Sequence, residues 1–261
     1  MRSGKPARLR ACGSAAAPLG APNVPASHLR RETLVPAGKQ SKGTCAYCGQ
    51  ELTKGGTAKH LSACPERGTV IDKAERKKAG SETHYHLRVL DTWRSEFWLD
   101  LEMRGSSTLK DLDFYLRGIW LECCGHMSQF SVGGWRGKGI SKRRRIDEVF
   151  EPGIKLTHIY DFGTSSETLI KAVGTRGGRP TIARPVALMA RNIMPEAKCI
   201  ECGRPAAWLC IECLIEVDVW GTLCDSHGKT HPHGNYGEPI RLVNSPRLGM
   251  CGYEGPAEPP Y

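Results

Sequence analysis

No apolar run in this chain approaches the ~20 residues needed to cross a bilayer, so no membrane-spanning helix and no membrane partner are expected. The N-terminus is basic and then alanine-rich. Pro18, Gly20, Pro22 and Pro25 interrupt its apolar stretch, which argues against a secretory signal and for a cytoplasmic protein. A convincing catalytic constellation is also missing. Cysteine, by contrast, is plentiful: twelve in 261 residues. Three CxxC pairs with histidines downstream suit metal thiolates in a reducing compartment better than a secreted disulfide scaffold.

The formal net charge of +10 is uneven. Residues 1–82 carry +9, residues 83–192 carry +5, and residues 193–261 carry −4. Basic surface attracts nucleic acid through counterion release and long-range steering. A solvated basic tail has the same composition.

Residues 1–42 are rich in Gly, Ala, Pro, Ser and Arg without hydrophobic period, and disorder is expected there, with Cys12 a free thiol. Residues 43–66 contain TCAYCGQELTKGGTAKHLSACPE, a CxxC pair followed after eleven residues by HxxxC. Thr57 starts a short helix that Pro65 stops, so His60 and Cys64, four apart, share one side. Cys45, Cys48, His60 and Cys64 close a tetrahedral site with no open position, the structural rather than the catalytic pattern. This stretch resembles a CCHC-type zinc finger. Residues 67–82 read as a charged linker or short helix.

Residues 83–192 form the main domain. Strands are expected at 84–90, 96–103, 126–132, 155–163 and 167–173, with a last strand or short helix at 185–192. Ser107-Thr108 caps a helix whose Leu109, Leu112, Leu116, Ile119 and Trp120 lie on one face. Gly163-Thr164-Ser165-Ser166 makes a hairpin turn. Strands around one helix, without regular βαβ alternation, give an α+β class. The expected fold is a small mixed sheet with one main helix, flanked by two zinc-binding modules.

Trp93, the helix TLKDLDFYLRGIW, the junction His126-Met127-Ser128-Gln129-Phe130 and Tyr160-Asp161-Phe162-Gly163 carry a resemblance over residues 84–175. This stretch is similar to the plasmid open-reading-frame-three-like family, whose members are often described as passenger proteins of bacterial insertion elements. Many members follow YDFG with two acids, Trp, Glu and His. Here Thr164, Ser165, Ser166, Glu167 and Thr168 follow, so only an acid, Glu167, survives.

Within residues 196–236 lie Cys199, Cys202, Cys210, Cys213, Cys224, His227, His231 and His233. Eight ligands suffice for two closed sites. The spacing resembles B-box and other cross-brace modules. That resemblance implies that Cys199, Cys202, Cys224 and His227 hold one ion and Cys210, Cys213, His231 and His233 the other. A one-ion alternative uses Cys199, Cys202, Cys210 and Cys213. About 35 residues bury little core, so metal must supply folding energy. About three zinc ions per chain are expected. Residues 237–261 read as an extended tail, and its Cys251 could replace a histidine ligand.

Other candidates have bland counterparts. Cys123, Cys124 and His126 could be nucleophile and base, but cysteine beyond a helix's apolar face is usually core. Asp161, Glu167 and Glu122 could be paired carboxylates, but an acid in a hairpin usually binds turn amides. His84 and His86 share a strand face, where solvent-facing histidines are the simpler reading. Lys142, Arg143, Arg144 and Arg145 could grip phosphate, with Trp135 stacking on bases. The sequence therefore points to a non-enzymatic, zinc-stabilised binding protein, with nucleic acid as first-choice partner. The alternatives are a protein-interaction adaptor and a hydrolase or nuclease using Asp161, Glu167 and His126.

Overall fold

The computed structural model describes residues 41–121, 125–151, 153–250 and 253. Residues 1–40, Cys12 among them, lie outside these, as do Glu122, Cys123, Cys124 and Cys251. A hairpin of β1 (Lys42–Cys45) and β2 (Glu51–Thr53) precedes α1 (Thr57–Ala63) and α2 (Pro65–Glu75). β3 (Glu82–Asp91) and β4 (Trp98–Arg104) lead to α3 (Leu109–Leu116), which runs into a π-helical turn, Arg117–Leu121. Next come β5 (Ser128–Val132), β6 (Lys138–Ile140), α4 (Ile146–Val149), β7 (Lys155–Tyr160), β8 (Ser166–Gly178) and β9 (Val186–Asn192). The C-terminal part holds β10 (Trp208–Cys210), α5 (Ile211–Glu216), β11 (Gly221–Leu223), α6 (Asp225–Thr230) and β12 (Ile240–Arg241). No helix among the described residues is long and apolar enough to cross a membrane.

The class is α+β, but the main sheet is neither small nor mixed. Nine strands run in the order β2-β1-β9-β4-β3-β8-β7-β5-β6, every pair antiparallel. The finger hairpin enlarges it, because β1 pairs with β9 and sets Cys45 opposite Ala190. Gly43 permits this join. A Cβ there would sit 2.3 Å from the Arg191 carbonyl oxygen and 2.4 Å from the Trp98 ring, so only glycine lets β1 pass. The charged segment after the finger is mostly helical. Pro65 ends α1 and occupies the first turn of α2, where its missing N–H costs nothing.

Side chains alternate across the sheet, and the two faces pack differently. Leu87, Val89, Leu99, Leu101 and Met103 meet Leu109, Leu112, Leu116 and Trp120 in one core. Thr108 caps α3. Its Oγ1 accepts from the Asp111 N–H at 3.4 Å, and the Asp111 carboxylate accepts from the Thr108 N–H at 2.8 Å. The opposite face carries Trp98, Met189 and Ala190, which pack on Leu52, Leu61 and Cys45 of the finger. Beside them Glu102, 5% exposed, accepts from Arg67 Nη2 and Arg176 Nε at 2.9 Å each. One buried carboxylate thus ties α2, β4 and β8 together. His84 and His86 also lie on this face, and neither is solvent-facing as expected. His84 is buried against the Gly178 carbonyl, and His86 pairs with the buried Asp100.

A second sheet, β11-β10-β12, forms the C-terminal module. It does not hang free, because Leu209 and Leu248 belong to the same apolar core as α3. The segment after β12 crosses the main sheet. Asn192 Nδ2 donates to Asn244 Oδ1 at 2.7 Å, and the wholly buried Arg247 donates to Asp161 Oδ2 at 3.0 Å and the Thr164 carbonyl at 2.7 Å.

Candidate zinc centres

Twelve side chains converge as three groups of four: Cys45, Cys48, His60 and Cys64; Cys199, Cys202, Cys224 and His227; and Cys210, Cys213, His231 and His233. Within each group every candidate ligand atom lies within 4.8 Å of the others. A tetrahedral ion with ordinary Zn–S and Zn–N bonds sets ligand edges of about 3.3–3.8 Å. The distances match: Cys48 Sγ to His60 Nε2 3.4 Å, Cys199 Sγ to His227 Nδ1 3.3 Å, Cys202 Sγ to Cys224 Sγ 3.8 Å, and Cys213 Sγ to His231 Nε2 and His233 Nδ1 3.2 Å each. None of these eight cysteines forms a disulfide. The three groups are zinc sites, about three ions per chain, and four protein ligands leave no open coordination position. The single-ion grouping of Cys199, Cys202, Cys210 and Cys213 is not the one that forms.

Local structure explains each site. The β1–β2 turn, with Gly49 at φ +73°, brings Cys48 back beside Cys45, and α1 presents His60 one turn before Cys64. In the C-terminal module Cys224 is the N-cap residue of α6, so His227 follows one turn on. Cys210 is the N-cap of α5 and accepts from the Cys213 N–H at 3.4 Å. A Cβ on Gly221 would lie 2.5 Å from that of Cys213, so β11 closes on the site only through glycine.

The thiols sit in contrasting fields. Burial, then Cys210, Glu212 and Glu201, push the Cys213 thiol up to about 12. Burial likewise raises Cys45 to about 11. At Cys199 burial also opposes ionisation, but bonds from the Cys224 backbone, His227 and the Glu201 backbone outweigh it and bring the thiol down to about 6. A divalent cation stabilises every such thiolate, so metal binding and ionisation go together.

Three of the four cations in the basic run pair with acids. Lys142 Nζ turns inward, donating to Asp113 Oδ2 at 2.9 Å and Ser128 Oγ at 2.6 Å. Arg144 pairs with Glu148 at 2.7 Å, and Arg145 pairs with Asp147. Arg143 is exposed. Sequence reasoning missed the network that Lys142 joins. Asp113 accepts from Arg117 Nε at 3.0 Å, Ser128 Oγ at 2.6 Å and the buried His158 Nε2 at 2.8 Å. Burial opposes ionisation of Asp113, but His158, Ser128 and Lys142 hold its carboxyl well below the usual carboxylate range. Burial pushes His158 down, against the pull of Asp113 beside it. A signal existed, since Asp113 lies four residues after Leu109 and three before Leu116, on the apolar stripe itself.

The catalytic candidates are brought only partly together. His126 Nε2 is 3.6 Å from Asp161 Oδ2, but the same oxygen accepts from Arg247, and Oδ1 accepts from the N–H groups of Gly163 and Thr164. Glu167 follows Ser166 along β8 and points to the opposite sheet face. Asp161 therefore fastens the turn and the C-terminal segment.

A cavity of about 410 Å³ opens where the zinc module meets this turn, lined by Trp93, Arg94, Ile211, Leu214, Trp220 and Met250. The Arg94 guanidinium stacks over the Trp220 ring at 4.1 Å.

No family model and no curated protein matches the chain. Among solved structures, a protein of unknown function from Methanosarcina mazei Go1 is similar over 42% of this chain and 69% of its own, with 16% identity and a TM-score of 0.37.

Proposed function

We propose that this protein is a non-enzymatic, zinc-stabilised adaptor that docks a protein segment at the cavity between α5 and the 163–166 turn. The observation that carries this reading is the cavity itself, whose apolar lining continues onto exposed surface at Ile215, Val217 and Val219, at 55%, 55% and 43% exposure. Contiguous exposed apolar surface beside a concave pocket marks interaction sites. Residues 193–250 hold five Lys/Arg against seven Asp/Glu, so the fitting partner is a segment with an apolar anchor and basic flanks. The acid pairing of Lys142, Arg144 and Arg145 weakens the case for nucleic acid at that loop. The resemblance of residues 84–175 to insertion-element passenger proteins suggests a partner encoded beside such an element.

The test is peptide-display selection on the full zinc-loaded chain. Enriched peptides are expected to share an aromatic or branched anchor with flanking Lys or Arg, and to bind Ile215→Glu at least ~10-fold more weakly. Equal binding to Ile215→Glu, or no enrichment, overturns the reading. A nucleic-acid role is favoured by one observation, the +9 charge on residues 1–82. It predicts DNA or RNA binding that falls steeply with salt and survives Ile215→Glu.

A further inference from the structure

Two of the zinc sites share one outer partner. His227 faces Cys199 and Cys224 with Nδ1, at 3.3 and 3.7 Å, so Nε2 is its outward nitrogen. His231 faces Cys213 and His233 with Nε2, at 3.2 and 3.3 Å, so Nδ1 is its outward nitrogen. Both outward nitrogens meet Glu201. Oε1 lies 2.7 Å from His231 Nδ1, and Oε2 lies 3.6 Å from His227 Nε2. A ligating imidazole normally gives its second N–H to such a group, which fixes the ring and strengthens the ligand. Here one carboxylate bonds the His231 ring and lies at ion-pair distance from the His227 ring of the other site.

The backbone makes the link two-way. Glu201 stands inside the Cys199–Cys202 loop, which the bonds Gly203 N–H to Cys199 O (2.8 Å) and Ile200 N–H to Thr222 O (2.9 Å) shape. An ion held by Cys199 and Cys202 therefore steadies the carboxylate that orients His231. In return, His231 follows α6, whose Cys224 and His227 serve the first site, and its N–H bonds the His227 carbonyl at 2.9 Å. An ordinary surface ion pair contributes little. This one differs because each of its ends terminates on a metal ligand.

We infer that Glu201 couples the two zinc ions of the C-terminal module, so that the module fills and empties as a binuclear unit. Coupling of this kind is reciprocal: each ion raises the affinity for the other by the same factor.

The experiment uses the full chain loaded with ¹¹³Cd in place of zinc and titrated with a chelator. The Cys210–Cys213–His231–His233 site has two sulfur and two nitrogen ligands, and the other two sites have three sulfurs and one nitrogen. The cadmium resonances are thereby told apart. In the native protein the two-sulfur resonance is expected to fall in step with one of the three-sulfur resonances. Glu201→Gln is close in size, but its amide can accept from only one ring and presents N–H to the other. It is expected to fill all three sites at saturating cadmium. The two-sulfur site should then empty at roughly 10-fold lower chelator than its neighbour. Separate loss of the two ions in the native protein overturns the inference, as does undivided loss in Glu201→Gln. If Glu201→Gln fails to fold, Glu201→Asp, too short to span both rings, is read by the same two outcomes.

Discussion

Removing the Glu102 carboxylate tests whether the helix after the first zinc finger is part of the sheet's architecture. In Glu102→Ala two guanidiniums, Arg67 from α2 and Arg176 from β8, are left facing each other without their acid. Breaking a buried pair by deleting one partner costs about 3–5 kcal/mol. The lower end applies, because each arginine side chain keeps 15–16% exposure. Arg67 also retains its bond to the Leu61 carbonyl at 3.0 Å, and Arg176 its bond to the Arg179 carbonyl at 3.3 Å. About 3 kcal/mol in a protein of this size lowers Tm by roughly 6–12 °C. Calorimetry at saturating zinc measures it. The combined variant Arg67→Met, Glu102→Leu, Arg176→Met removes all three charges and is expected to melt within a few degrees of the native protein, since apolar replacement of a buried ion cluster is often neutral. A Tm loss under about 2 °C for Glu102→Ala would refute the reasoning.

Native mass spectrometry is expected to count three zinc ions, and Cys64→Ser to remove one while the C-terminal pair stays; loss of all three would mean that the sites do not fold separately. Lys142→Ala is expected to cost roughly 1–3 kcal/mol of stability in urea titration because it strips donors from Asp113 and Ser128. Exposed Arg143→Ala should stay within about 0.5 kcal/mol; equal effects would contradict the inward placement of Lys142. Asp113 ionises more readily folded than unfolded, so its stabilisation is complete above the ordinary aspartate value of about 3.9 and is lost as pH falls toward its depressed folded value. The urea midpoint is expected to drop between about pH 5 and pH 2, and Asp113→Asn to flatten that slope; an unchanged slope excludes Asp113 as a contributor.

The parts legible in the sequence are those governed by short-range rules. The N-cap at Thr108, the 3-4-3 spacing from Leu109 to Ile119, and the hairpin around residues 163–166 each depend on neighbours within one or two turns. Pro65 was legible as a stop for α1. Its second role, starting α2, needed the following residues to pack against the sheet through Arg67. The surroundings of Lys142–Arg145 were not legible for a related reason. A run of cations shows its charge in the sequence but not its partners, and Asp113, Asp147 and Glu148 are supplied by folding.

By itself the sequence determined the chemistry of the metal sites. Thiolates and imidazoles in pairs two or three residues apart have few uses other than a soft cation, and closed sets of four leave no coordination position for catalysis. It also determined the α+β class, because hydrophobic period is a local property. Only the tertiary structure decided that β1 joins β9 across almost 150 residues of chain, that Gly43 lies under Trp98, and that the zinc module shares its core with α3. Only the structure, too, brought Glu201 between two sites. Such pairings are set by which surfaces fit once the strands are aligned, and their energies come from burial and from charges meeting at distances that no local pattern encodes.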